Sequence, residues 1–284
     1  MPGMDDTTPI DTTPSVDAIP APLENPRPAP AALSIAPVWH TLVLMAGILL
    51  LSVASAMELS GKGAGDTDRM RTYGMTAITE VLMLVWVYFG LRLRKIPFRS
   101  LLGEVAGGFK GLAIDIGSAA VFWIGSLFVL ATLGVMWTLA DLAIHHRSLF
   151  VNGKPAPAAP SEQNAVHALT ALVPGNTHEV IAWVFLCIFA GITEEIVFRG
   201  YFQRQFIAWS RGMVAGGVVF SAAMFGIAHG YQGARNMILL SIFGVLFSLL
   251  ALFRKSLRAG IFAHAWHDTV AGLLLAILKS KHLL

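Results

Sequence analysis

Seven long apolar runs decide what this chain can become. In hydrocarbon every backbone N–H and C=O must be satisfied within the segment, so a run of roughly 20 apolar residues crosses a bilayer as a helix. The runs lie near 38–57, 73–91, 112–140, 179–198, 213–230, 236–253 and 258–278. Composition agrees: 55% of residues are hydrophobic and 13% charged, where soluble domains carry about a quarter charged. The fold class expected is all-α, a polytopic transmembrane helical bundle of about seven spans. The net charge of +3 does not point to nucleic acid, because Lys and Arg collect at the ends of apolar runs, as membrane orientation requires. One cysteine, Cys187, excludes an intramolecular disulfide and any CxxC metal or redox motif.

Residues 1–36 read differently. Eight of the 14 prolines lie there among Asp, Thr, Ala and Ser, so a disordered Pro-rich tail is expected. It lacks the basic start and apolar core of a signal peptide. The chain thus divides into a tail (1–36), N-terminal spans with an extramembrane loop (37–174) and a last membrane domain (175–284). Within the middle part, 143–177 reads as a polar loop. The loops after spans two, four and six hold eleven Lys and Arg, against eight on the opposite side. That bias puts those loops and the N-terminus in the cytoplasm.

Ionisable residues inside apolar spans cost several kcal/mol each unless they face a cavity or a partner. Glu194 and Glu195 lie about 100° apart on a helix and point different ways. Glu195 and Arg199 form an i,i+4 pair with the acid N-terminal. That supporting ion pair neutralises one carboxylate and leaves Glu194 free. His229 ends "FGIAH", and His264 stands i,i+4 from Asp268 in "HAWHD". Glu80 and Asp115 read as packing groups, and His267 as a bystander. Hydrolysis of a peptide bond by water needs a base, a water holder and oxyanion donors. Glu194 suits the first and His229 the second, while His264, oriented by Asp268, suits the third. Equally, Glu194, His229 and His264 suit a zinc site with an open fourth position. The residues leave both chemistries open.

A depth check favours convergence. Glu194 and His229 each lie 17 residues from the turn at Arg211–Gly212, roughly 25 Å at 1.5 Å per residue. His264 lies six residues past Arg258, only about 9 Å into its span. The three meet only if spans four and five project beyond the start of span seven.

"EEIVFR", "FGIAH" and "HAWHD", in that order on successive spans, resemble the EExxxR, FxxxH and HxxxN/D motifs of the type II CAAX protease and bacteriocin-processing family. This family of Abi or Rce1-like intramembrane proteases is also called CPBP. The resemblance covers roughly 175–278. It implies an endopeptidase in a helical bundle open towards the cytosol, with Glu194 and His229 activating water and His264 and Asp268 at the oxyanion. The family has been described both as metalloproteases and as glutamate-dependent. Asp268 stands where some members have Asn. The implied partners are a peptide or membrane-protein substrate and the lipid bilayer, prenylated CAAX proteins being the eukaryotic case. A multi-pass protein of a bacterial cytoplasmic membrane is expected. The alternative is a non-enzymatic immunity or scaffold protein using the same buried network. Proton-coupled transport is disfavoured by the lack of an inverted repeat. "GAGD" at 63–66 has no second intramembrane Asp motif nearby, "HEVIA" at 178–182 lacks the second His of HExxH, and Ser221 lacks a GxSG context.

Overall fold

Leu, Ile, Val and Phe surround the long helices instead of gathering in one stripe, the pattern of a helix bathed in apolar material. The protein, a computed structural model, is described over residues 33–60, 68–104, 107–151, 154–155 and 160–281. Helices α1 (Val38–Ser60), α2 (Arg69–Leu93) and α3 (Gly108–Ile144) come first. Then follow α4 (Pro160–Leu172), α5 (Thr177–Glu194), a π-helical turn (Glu195–Phe202), α6 (Gln203–Trp209), α7 (Val214–Ala228), α8 (Gly233–Arg254) and α9 (Arg258–Ser280). Among the described residues six helices are long and apolar enough to cross a membrane, with Thr177–Trp209 counted as one. Leu50, Leu82 and Val121 are exposed on them, an outward face for lipid.

The expected fifth span, 213–230, is the 15-residue α7. At about 22 Å it falls short of a roughly 30 Å hydrocarbon core. The 143–177 connection is not all loop. It holds α4 and a two-residue ladder pairing Phe150 with Pro155 and Val151 with Lys154. Thirteen residues with mixed polarity gave α4 no apolar signature, yet it buries Ala168, Thr170 and Ala171. Of the tail expected at 1–36, residues 1–32 lie outside the described residues, as does 63–66. Ile35 and Ala36 are held by Gln205: their amides donate to its Oε1 at 2.9 and 3.2 Å, and its Nε2 donates to the Ala36 carbonyl at 2.9 Å.

Local sequence explains the start of α5. Asn176 Oδ1 accepts from Glu179 N at 3.0 Å, and Asn176 Nδ2 donates to Glu179 Oε1 at 2.9 Å, a capped N-terminus. Gly191 lets α5 reach α9: a Cβ there would sit 3.0 Å from Ala265 N and 3.1 Å from Ile261 O. Small residues at crossings do this in lipid, where apolar burial alone does not drive helices together. At the turn into α9, Asp115 of α3 is buried and pairs with Arg254 at 2.8 Å and Arg258 at 3.1 Å. The backbone there is stitched to the 98–104 segment, with Glu104 N donating to Lys255 O and Leu257 N to Leu102 O.

This stitching resolves the depth problem. Gly200 lies against Leu101 and Leu257, level with the start of α9. Residues 201–209 and their partner α7 continue past it by about 14 Å. Tyr201, Phe202 and Phe206 of the core cluster lie in this projecting end. Glu195 sits beside Gly260, whose added Cβ would meet Glu195 Oε2 at 2.8 Å.

Gly191→Ala is expected to force α5 and α9 apart and lower stability by about 1–3 kcal/mol. Gly47→Ala, with nothing within 4 Å of the new methyl, is the control. Thermal melting of both purified variants checks this, and equal melting would contradict the packing described.

Candidate active site

One fully enclosed carboxylate organises the centre of the bundle. Glu195 and Arg199 have no exposed side-chain surface, and Arg199 Nη1 donates to Glu195 Oε1 at 2.9 Å. Arg199 Nη2 donates to the Gly244 carbonyl of α8 at 3.3 Å. Its guanidinium lies 4.5 Å from the Phe225 ring and 4.9 Å from that of Phe247, an aromatic setting that suits a desolvated cation. The same Glu195 Oε1 accepts from His264 Nδ1 at 3.2 Å. The ion pair thus positions an imidazole as well as neutralising a charge. The π turn begins at Glu195. Such wide turns concentrate at functional positions.

With Nδ1 committed to Glu195, His264 turns Nε2 toward Glu194 Oε2 at 3.6 Å and Asp268 Oδ2 at 3.7 Å. His229 follows the last residue of α7 and donates from Nδ1 to the Phe225 carbonyl at 2.8 Å. Since a carbonyl only accepts, Nδ1 carries the hydrogen. Nε2 then faces Glu194 Oε2 at 4.0 Å. The structure therefore brings Glu194, His229, His264 and Asp268 together from three helices. Glu194 Oε2 is buried with no hydrogen-bond partner. His267 instead lies against the Phe243 ring, 4.8 Å between centroids.

Two imidazoles and a carboxylate suit zinc by donor type. However, among the described residues no group of three or more His, Cys, Asp and Glu is arranged to hold a metal ion.

A cavity of about 550 Å³ leads to Glu194 and His229 between α1 and α2. Its walls are the second half of α1, from Ile48 to Glu58, and the first half of α2, from Asp68 to Met83. These halves lie at the bundle end opposite the turns at 94–97, 210–213 and 255–257. Charge bias puts those turns in the cytoplasm, whereas the family resemblance implies a site open to the cytosol. This geometry allows only one of those two expectations. Glu80, read as a packing group, is only 3% exposed, lines the cavity and leaves Oε2 without a partner. No spacing pattern ties it to the other acids.

A polytopic helical membrane protein with a buried carboxylate–imidazole cluster at the end of a cavity is the class these features define. Residues 176–270 match the family model described as type II CAAX prenyl endopeptidase Rce1-like, so this segment is similar to that family. The match runs from the cap of α5 into α9 and leaves α1 to α4 outside. No curated protein and no solved structure matches the chain.

Removing one partner of a buried ion pair costs about 3–5 kcal/mol, whereas removing both costs far less. Arg199→Met should therefore melt well below wild type, and Arg199→Met/Glu195→Gln should recover much of the loss. A double variant less stable than the single one would contradict the pairing. Cavity access has its own readout in chains with Cys187→Ser. Thr72→Cys and Ser210→Cys should react with an impermeant thiol reagent from opposite faces of sealed vesicles. Labelling of both from one face would contradict the placement of the mouth.

Proposed function

We propose that the protein is an intramembrane endopeptidase of the glutamate-dependent type. The observation that carries this reading is the buried, unpartnered Glu194 Oε2, 4.0 Å from His229 Nε2 and 3.6 Å from His264 Nε2. A gap of 4.0 Å is too long for a hydrogen bond but fits a water bonded to both atoms. Glu194 takes a proton from that water, and the oxygen attacks the scissile carbonyl carbon. His229 holds the water through Nε2. His264 Nε2, protonated and kept in place by Glu195 on Nδ1, donates to the carbonyl oxygen as charge builds on it. Asp268, beside the same Nε2, supports the charged imidazole. The C–N bond then breaks, and Glu194 returns its proton to the leaving amine, which regenerates the carboxylate. Hydrolysis consumes one water and leaves no covalent enzyme intermediate.

The membrane-spanning setting and the Rce1-like segment support a peptide or membrane-protein substrate that reaches Glu194 through the cavity between α1 and α2. If Glu194, His229 and His264 instead hold zinc, chelation removes activity and zinc restores it.

Two measurements test the reading. Glu194→Ala should lower turnover by at least about a hundredfold, the lower end for loss of a general base, with melting unchanged. Comparing membrane-associated peptides in cells carrying wild type or Glu194→Ala reads out that turnover. Identical peptide profiles, together with partner protection that survives Glu194→Ala, would favour the immunity or scaffold reading. Activity should also persist in 1,10-phenanthroline, and its loss would overturn the metal-free chemistry.

A further inference from the structure

Glu80 is a buried acid that the proposed hydrolysis does not use. It lies on α2, outside the Rce1-like segment, and lines the same cavity as Glu194. Its residue is only 3% exposed, and its Oε2 has no hydrogen-bond partner. A buried carboxylate oxygen without a donor is costly, so a residue this enclosed needs a partner from somewhere.

Among the described residues the wall puts no Lys or Arg within reach of Glu80. Arg71 is the lone one of them lining the cavity. It stands nine residues from Glu80 on the same helix, about 13 Å away along the axis, beyond direct pairing. Asp68 is occupied as the cap of α2, where Oδ1 accepts from Arg71 N at 3.1 Å. Glu194 adds a further acid. Among the described lining residues carboxylates thus outnumber Lys and Arg. The rest of the wall is hydroxyl and apolar, including Thr76, Thr79, Met75 and Met83.

We propose that Glu80 is a specificity residue: it receives a single basic side chain, Lys or Arg, of an otherwise apolar peptide segment entering between α1 and α2. The donor the pocket lacks is then brought by the substrate. A cation inside a low-dielectric cavity also favours the ionised form of its carboxylate partner. A site built to pair a charge rejects an uncharged analogue, because the buried carboxylate is then left unsatisfied. The proposal rests on the endopeptidase reading for its meaning, but not for its measurement.

The test is binding to the full-length protein in nanodiscs. The probes are fluorescent apolar helical peptides in which one Lys is walked along the sequence, each matched to a twin with norleucine at that place. At least one Lys peptide should bind wild type about tenfold or more tightly than its norleucine twin. Glu80→Gln should erase the difference while leaving norleucine affinity unchanged, and Glu80→Asp should retain part of it. Glu194→Gln should keep the preference, which separates the two acids. Equal affinities for every pair in wild type, or a preference that survives Glu80→Gln, would overturn the proposal. The second result would make Glu80 a neutral hydrogen-bonding or packing group. A Lys preference in a protein that hydrolyses nothing would sink the endopeptidase reading and leave the cation pocket standing. Hydrolysis without a Lys preference would do the reverse.

Discussion

A carboxylate with no route to water has to be paired, and the position of Glu195 imposes that requirement on three helices at once. Arg199 answers from the same helical turn, Gly244 of α8 accepts the guanidinium's other arm, and His264 of α9 donates through Nδ1. Phe225 and Phe247 close the sides. An uncompensated charge here would cost more than most packing contacts return. The arrangement therefore fixes where α9 lies against α5, and so where His264 points. Gly260 makes room for the acid and Gly191 for the helix contact. Glu194, one residue earlier, is aimed elsewhere by the same geometry that buries its neighbour.

The bundle divides its work along the chain. The Rce1-like segment supplies the imidazoles and acids of the cluster. Helices α1 and α2, outside that segment, supply the walls of the cavity and hence what enters it. The two parts are tied together by hydrogen bonds at the projecting end. His40 Nδ1 and Thr41 Oγ1 each lie 2.8 Å from the Tyr201 hydroxyl, and Gln205 holds the segment entering α1. Tyr201 and Gln205 follow directly on the motif helix, so the cavity walls are referenced to the residues they serve.

Much of this was legible in the sequence because lipid simplifies the code. Apolar length alone located five of the six long helices to within about four residues, and the start but not the end of Thr177–Trp209, expected to stop at 198. The i,i+4 spacing of Glu195 with Arg199 announced their ion pair before any fold was in hand. The equal distance of Glu194 and His229 from Arg211–Gly212 foretold that they would meet, and the need for a projecting end followed from arithmetic on His264. Other features left no trace. The π turn replaces an ordinary helical turn with no composition signal, and α4 is too short and too mixed to stand out. Glu80 and Glu195 look alike as isolated acids in apolar runs. Only the fold separates the one whose Oε1 takes donors from Arg199 and His264 from the one that lines a cavity with no donor on Oε2. The side of the membrane on which the cavity opens was legible in two ways that disagreed, since charge bias reports loops and the family motifs report chemistry.

The most direct measurement is the ¹⁵N spectrum of histidine-labelled protein, with His264 assigned by its loss in His264→Gln. If Glu195 aims this imidazole, Nδ1 carries a strongly hydrogen-bonded proton in wild type, and the signature collapses in Glu195→Gln while that of His229 stays in place. A His264 spectrum indifferent to Glu195→Gln would mean that the buried acid does not hold the ring, and the site as described would come apart.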